Sequence, residues 1–305
     1  MNQYLPSLGF EGFNSEKESA LILREIEKQM GAGQFVKNEK FQRGATVIPV
    51  SKSTGLYVYG RFTGSKFTFE YYFPFVIAQE KTPNDTLSVS RHTFAESYSA
   101  VCDELKAGVS LIFHLENVLD YLAYIENAPD PSPLKKFDID RRSDAEEATL
   151  HKKEVSLSAL ALEGTIIMPL HPAKHSVPGG KERSYENLMK KAQSGDEAAI
   201  EKISMTDLNI YTSLTKRIGR EDILTIVDTS FMPVGIECDQ YMAVGEIKEV
   251  RFETNNFTGE EIVLMQLDCN GINCTMAIAR KDLLGEPAVG RRFRGQIWLQ
   301  GFVWF

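Results

Sequence analysis

IVLMQLDCNGINCTMAIA, residues 262–279, carries the clearest structural signal at the C-terminal end of the chain. Two apolar-rich runs are separated by Asn270-Gly271, a pair typical of the type I′ turn because both central positions of that turn need a positive φ. The stretch therefore predicts a β-hairpin. Cys269 and Cys274 flank the turn, and we expect them to be a reduced and buried pair.

The residues on either side of this hairpin predict further strands. Residues 244–253 alternate apolar and polar side chains and end at a turn over 254–259, which is rich in Asn, Thr and Gly. Residues 281–287 predict one helical turn, and residues 292–305 predict a return strand. Together these parts predict a small OB-like β barrel over residues 241–305, because closure removes the exposed edges of a short sheet.

The start of the return strand, GRRFRG at residues 290–295, holds the candidate binding residues Arg291, Arg292 and Arg294. Guanidinium groups can bind phosphate or carboxylate through two hydrogen bonds at once. Solvated arginines whose stems cover the barrel edge are the alternative. Trp298 completes the candidate set; it shares a strand face with Phe302 and Trp304, and that face is either core or a stacking platform.

Composition limits the partners that the chain can have. The 305 residues carry a net charge of −8, and residues 241–305 contain seven Lys and Arg against eight Asp and Glu. Nucleic acid is therefore an unlikely partner, since its affinity comes from neutralised phosphates. We find no basic N-terminal region, no apolar run of membrane-spanning length and no disulfide framework among four cysteines, so we expect a cytoplasmic protein without a membrane partner.

The spacing of His171 and His175 is the weak metal-ligand signal in the chain. On a helix, HxxxH would place both rings on one side. Pro172 lies between them and Pro178 follows, which favours a loop. We therefore predict no metal and no cofactor, and we identify no catalytic residues.

The rest of the chain predicts an α+β protein with four regions. Residues 1–127 are an N-terminal domain of helices and antiparallel sheet, with helices at 15–31, 92–107 and 117–127. The charged, Pro-containing residues 128–153 are a linker or insertion. Residues 154–240 are a mixed, mainly helical middle, and residues 241–305 are the barrel. In the N-terminal domain, five aromatic residues of equal parity predict one aromatic strand face: Phe67, Phe69, Tyr71, Phe73 and Phe75.

Four segments together resemble a known bacterial family. They are FEYYFPF at 69–75, ESYSAVCDELKAGVSLIFHLEN at 96–117, SGDEAAIEKISMTDLNIYTSLTKRI at 194–218, and the C-terminal run that includes DLLGEPAVGRRFRGQIWLQGF. The chain is similar to the family catalogued as domain of unknown function 3881, found mainly in clostridia and related Gram-positive bacteria. The resemblance implies a cytoplasmic bacterial protein and assigns no catalytic residue, cofactor or partner.

These observations leave three hypotheses for the function. The first is a non-catalytic binding or regulatory module that presents the C-terminal barrel to a protein or a small anionic ligand. The second is an enzyme that acts on a phosphorylated or carboxylated small molecule, with His171 and His175 in a cleft. The third is single-stranded nucleic acid binding through the barrel. The oligomeric state and the presence of catalytic activity stay open.

Overall fold

Strands account for most of the regular structure that the computed structural model describes. The described residues are 2–12, 15–91, 98–103, 110–127, 148–168, 229–234 and 239–305. The strands in chain order are β1 Val36–Asn38, β2 Arg43–Pro49, β3 Thr54–Thr63, β4 Lys66–Val76, β5 Thr82–Arg91, β6 Tyr98–Asp103, β7 Leu111–Leu115, β8 Ala148–Ala161, β9 Gly164–Ile167, β10 Ser230–Pro233, β11 Gln240–Thr254, β12 Glu261–Cys269, β13 Ile272–Ala279, β14 Leu283–Leu284 and β15 Arg292–Trp304. The helices are α1 Ser15–Gly31 and α2 Val118–Glu126, with 3-10 helices at Leu5–Leu8 and Arg280–Asp282.

The predicted α+β class with a helical middle is wrong for the described part of the chain, which is mostly β. Of the predicted helical middle, the described residues 154–167 are mainly strand, and so are 230–233 and 240. The part of that region outside the described residues is 169–228 and 235–238. The predicted linker likewise begins in undescribed residues and ends inside β8.

Several local predictions are confirmed. Helices α1 and α2 occur where the apolar spacing and the flanking residues predict them, and β15 is the predicted return strand. The hairpin of β12 and β13 is also confirmed, with φ of 58° at Asn270 and 78° at Gly271.

The predicted helix at 92–107 is wrong, because residues 98–103 form β6. Tyr98, Ala100 and Cys102 are buried at a spacing of two, and β6 is hydrogen-bonded between β5 and β7. Pairing on both sides satisfies the strand backbone, so this tertiary context overrides the helical spacing of the apolar residues.

The first sheet is antiparallel, with strand order β1-β2-β3-β4. A register shift lies between Tyr59 and Gly60: Tyr59 pairs with Tyr71, whereas Gly60 pairs with Phe69, so Glu70 is the extra residue of a β-bulge. The bulge divides the predicted aromatic face, because residues directly opposite each other share a face. Phe67 lies opposite Phe62 on one face, while Tyr71 stacks on Tyr59 on the other, at a centroid distance of 5.1 Å.

The second sheet has eleven strands in the order β10-β11-β12-β13-β8-β5-β6-β7-β15-β9-β14. Two further pairings, β11 with β15 and β8 with β15, join strands that are not neighbours in this order. The pairings run from β11 through β12, β13, β8 and β15 and return to β11. The prediction of an independent OB-like barrel is therefore wrong, since the C-terminal strands belong to a large sheet and depend on β8.

Polar side chains join the two sheets. Ser51 and Ser53 donate hydrogen bonds to Glu253 on β11, each hydroxyl at 2.6 Å. Burial alone would raise the pKa of Glu253, but these hydrogen bonds outweigh it and hold the pKa below its ordinary value. Gln300 Nε2 on β15 donates to the Pro74 carbonyl on β4 at 2.8 Å. The residues Met1–Ile166 and Thr229–Phe305 form one compact unit, and Ile167–Asp228 form a second unit that lies almost wholly outside the described residues.

Candidate binding surface

The segment between β13 and β15, residues 280–291, is a loop whose shape is fixed by its own hydrogen bonds. Arg280 Nη1 donates to the Leu283 carbonyl at 3.1 Å, and its Nη2 pairs with Glu286 Oε2 at 2.9 Å. Arg291 Nη1 donates to the Glu286 carbonyl at 2.7 Å. Three bonds within one short loop define its conformation before any partner arrives. We refer to residues 280–291 as the arginine loop.

The sheet holds the arginine loop at both ends. Strand β14 inside the loop pairs in parallel with β9. At the other end, Ile247 N donates to the Arg291 carbonyl and Gly290 N donates to the Ile247 carbonyl, both at 2.8 Å. Gly290 has φ of 84°, a conformation that favours glycine. These contacts make the loop an extension of the sheet.

The arginine loop presents two large apolar side chains to solvent. Leu284 is 70% exposed and Val289 is 67% exposed. Scattered exposed apolar residues are ordinary, but two of them on one pre-organised loop beside arginine side chains match the composition of a protein-binding surface. A rigid loop also loses little conformational entropy when it binds.

The charges around the loop are unevenly neutralised. Lys281 forms an ion pair with Glu11, and this hydrogen bond raises the pKa of Lys281. Burial raises the pKa of Asp282. Arg280 is neutralised by Glu286, whereas Arg291 donates to a backbone carbonyl and forms no ion pair with a carboxylate of the described residues. The Arg291 charge therefore stays available to an acidic group of a partner.

The four predicted binding residues lie in different environments. Arg291 and Arg294 are half-buried, and Arg294 lies on β15 opposite Val244. Arg292 is only 3% exposed and Trp298 only 8% exposed. His171 and His175 lie outside the described residues. The structure thus brings Arg291 together with the arginine loop and places Arg292 and Trp298 in the interior.

Trp298 makes contacts typical of a core residue. Its Nε1 donates to Asp239 Oδ2 at 2.8 Å, and its ring stacks on Tyr4 with centroids 5.0 Å apart and planes 19° apart. His114 and Phe73 pack against the same ring. A base or another planar ligand could not stack on this ring without displacing Tyr4.

A buried polar cluster around Glu116 was not identified from the sequence. Glu116 follows β7 and is 3% exposed, and Ser158 on β8 donates to its Oε1 at 2.6 Å. The Tyr59 hydroxyl donates to the Glu116 backbone carbonyl. Burial raises the pKa of Glu116 to about 8, although the Ser158 hydrogen bond acts in the opposite direction. The Glu116 backbone carbonyl thus joins the cluster to β3 of the first sheet, and the Glu116 carboxyl group binds β8 of the second sheet.

A small cavity lies near this cluster, between the first sheet and α2. Its volume is about 20 Å³, which is room for about one water molecule. The lining residues are Arg43, Tyr59, Gly60, Glu70, Tyr71, Tyr98, Val118, Leu119 and Leu122. In the part of the chain that the structure describes, no group of three or more His, Cys, Asp and Glu side chains is arranged to hold a metal ion.

Sequence reasoning also missed Leu284 and Val289. Gly285 and Pro287 lie between them, so the sequence indicates the end of a secondary-structure element there rather than a binding surface. The available signal was the presence of several apolar residues in a segment whose Gly and Pro exclude a regular core element.

The fold and the loop define a mostly β protein that carries a pre-organised apolar and basic surface. The chain belongs to the family described as "Domain of unknown function, E. rectale Gene description (DUF3881)", whose model matches residues 5–301. No curated protein and no solved structure matches the chain. Among the described residues, neither helix has the length and apolarity that a membrane crossing requires.

Proposed function

We propose that this protein is a non-catalytic binding or regulatory module that recognises another protein through the arginine loop. The observation that carries the proposal is the exposure of Leu284 and Val289 on a loop fixed by hydrogen bonds at both ends. Exposed apolar anchors on a rigid element are the arrangement that stabilises an interface at low entropic cost.

The chemistry of the loop indicates the kind of partner. Leu284 and Val289 favour an apolar contact, and Arg291 favours a carboxylate at its rim. A protein surface or peptide with aliphatic residues next to Asp or Glu meets both requirements. The cytoplasm is the proposed location, which the cysteine usage and the net charge of −8 support.

Surface recognition accounts for the described geometry better than catalysis does. Small-molecule sites are usually clefts of roughly 300 to 1,000 Å³. The cavity beside Tyr59 has about 20 Å³, and its polar groups Arg43 and Glu70 already pair with each other. The enzyme hypothesis rests on His171 and His175, which lie outside the described residues, and it stays a sequence-based prediction.

The test is a comparative affinity capture with the full chain. We would immobilise the wild type and the Leu284→Asp/Val289→Asp double variant, and identify retained proteins by mass spectrometry. The proposal expects one or more proteins that the wild type retains in near-stoichiometric amounts and the double variant loses. Equal recovery of every retained protein by the two forms would overturn it.

Leu23→Asp on α1 is a matched control, because Leu23 is 53% exposed and lies outside the arginine loop. A partner of the loop should survive this control and should weaken with Arg291→Glu. Far-UV circular dichroism of each variant confirms that the fold is retained.

A further inference from the structure

Strand β4 forms an edge of the first sheet. Among the described strands it pairs only with β3, and it is eleven residues long. Its C-terminal half, from Phe73 to Val76, is buried. Its N-terminal half is not, since Lys66, Thr68 and Glu70 are exposed. An exposed strand edge of this length is a template for a further strand.

Backbone directions show which groups point out of the sheet. Phe62 on β3 lies opposite Phe67, yet Phe62 N donates to the Gln42 carbonyl at 2.8 Å, on the β2 side. Phe62 and Phe67 are therefore a non-hydrogen-bonded pair, and the Phe67 N–H and C=O point away from β3. Alternation gives the same direction for Phe69, which lies opposite Gly60. Two residues thus offer donors and acceptors at the spacing that an added strand uses.

The charges near this edge select the added strand. Arg43 and Arg61 both pair with Glu70, so one carboxylate faces two guanidinium groups. Lys66 is exposed at the start of the strand, and Arg61 has a side chain that is 51% exposed. The edge is therefore basic, although the whole chain carries a net charge of −8. A second copy would bring two like-charged edges together, whereas a segment rich in Asp and Glu complements this one.

We propose that the edge of β4 from Lys66 to Glu70 binds an extended acidic segment of a partner protein by adding it as a fifth strand to the first sheet. The Phe67 and Phe69 backbone groups make the main-chain hydrogen bonds, and Lys66 and Arg61 pair with carboxylates of the added strand. This site is distinct from the arginine loop and uses main-chain recognition, which pairs backbone affinity with side-chain selectivity.

The test uses a defined probe, a fluorescein-labelled ten-residue peptide of alternating glutamate and valine, and a matched peptide of alternating lysine and valine. Fluorescence anisotropy at low salt measures binding to the full chain. Hydrogen exchange reports the amides of Phe67 and Phe69. The proposal expects fast exchange at both amides in the free protein, slower exchange with the glutamate peptide and no change with the lysine peptide.

Four variants locate the interaction. Lys66→Glu should weaken binding of the glutamate peptide by about tenfold, because it replaces an attraction with a repulsion. Phe69→Pro, which removes the N–H, should weaken binding by at least about fivefold relative to Phe69→Ala, which keeps it. The Leu284→Asp/Val289→Asp variant should bind the peptide as the wild type does. Loss of peptide binding at β4 can therefore be distinguished from loss of a partner at the arginine loop.

Three results would overturn the proposal. One is slow exchange at Phe67 and Phe69 in the free protein, since this would mean that the chain or a second copy already covers the edge. Another is equal binding of the two peptides. The third is unchanged affinity in Lys66→Glu, a variant at an exposed position that does not depend on how the fold tolerates proline.

Discussion

The arginines at and just before the start of β15 differ in burial, and this difference decides which of them can be substituted without a large loss of stability. Arg291 and Arg294 are half-buried, whereas Arg292 between them is 3% exposed. Alternation puts Arg292 and Arg294 on the same face of β15, so their difference in burial comes from the neighbours that cover each of them, and Arg291 precedes the strand. A charge reversal of all three would test folding and binding at once.

We therefore expect Arg291→Glu and Arg292→Glu to behave differently. Arg291→Glu should lower the free energy of unfolding by about 1 kcal/mol, the typical contribution of the side-chain hydrogen bond that it removes. Arg292→Glu should lower it by about 3 kcal/mol or more, because a buried cation would be replaced by a buried anion. Urea denaturation measures both values, and equal stabilities of the two variants would contradict the burial of Arg292.

Glu116 gives a prediction about pH. Burial raises its pKa from the ordinary 4.5 to about 8, so the folded state keeps a proton that the unfolded state has released over this range. Stability contributed by this group is therefore present below pH 4.5 and is lost as the pH rises towards 8, with a slope of about 1.4 kcal/mol per pH unit.

Glu116→Gln should remove this slope, because the amide can still accept from Ser158 and has no proton to lose. The measurement is the free energy of unfolding of wild type and variant at several pH values between 5 and 9. The difference between the two proteins should grow in favour of the variant as the pH rises. Parallel curves would show that Glu116 is ionised in the folded state.

At the scale of elements, the sequence predicted the helices and turns whose conformation depends mainly on neighbouring residues. The hairpin of β12 and β13 follows from Asn270-Gly271, and α1 and α2 follow from apolar spacing and flanking residues. The bulge at Glu70 could not be predicted, since aromatic residues continue at every second position of β4 on both sides of it, from Phe67 to Phe75. Neither could β6, whose strand conformation depends on β5 and β7. Residues 281–287 of the arginine loop were predicted as one helical turn, but the exposure of Leu284 and Val289 depends on which neighbours reach them.

Gly271 tests the hairpin. It has φ of 78°, and an added Cβ would meet no atom within 4 Å, so the cost of Gly271→Ala is conformational alone. We expect the free energy of unfolding to fall by about 1 to 2 kcal/mol. Gly31→Ala is the matched control, because it also meets no atom within 4 Å and its φ is not in the left-handed region. Thermal denaturation should show a lower Tm for Gly271→Ala only.

At the scale of the whole molecule, the C-terminal strands depend on a strand from the middle of the chain. Strand β8 pairs with β5, β13 and β15, and its Ser158 lies opposite both Thr275 and Gln300. No local pattern in residues 148–161 indicates these partners, because strand pairing over long sequence separations is decided by the complete fold. This is why composition and periodicity predicted a self-contained C-terminal barrel.

We expect a fragment of residues 241–305 to lack a cooperative fold. Without β8, both β13 and β15 lose a paired neighbour, and the backbone N–H and C=O groups along that edge lose their partners. Joining residues 148–168 to the fragment through a flexible linker should restore part of the structure. Circular dichroism during heating and the dispersion of amide NMR signals measure the difference, and a cooperative transition in residues 241–305 alone would contradict the dependence on β8.

The pairing of β8 with β15 also has a consequence during protein synthesis. A ribosome has made β8 long before it makes β15, because residues 162–291 lie between them, and translation at about 5 to 20 residues per second makes that delay on the order of ten seconds. Throughout this time the nascent chain exposes the flank of β8 that β15 finally covers. The incomplete sheet must therefore either be bound by a chaperone during this time or aggregate more slowly than the ribosome completes the chain.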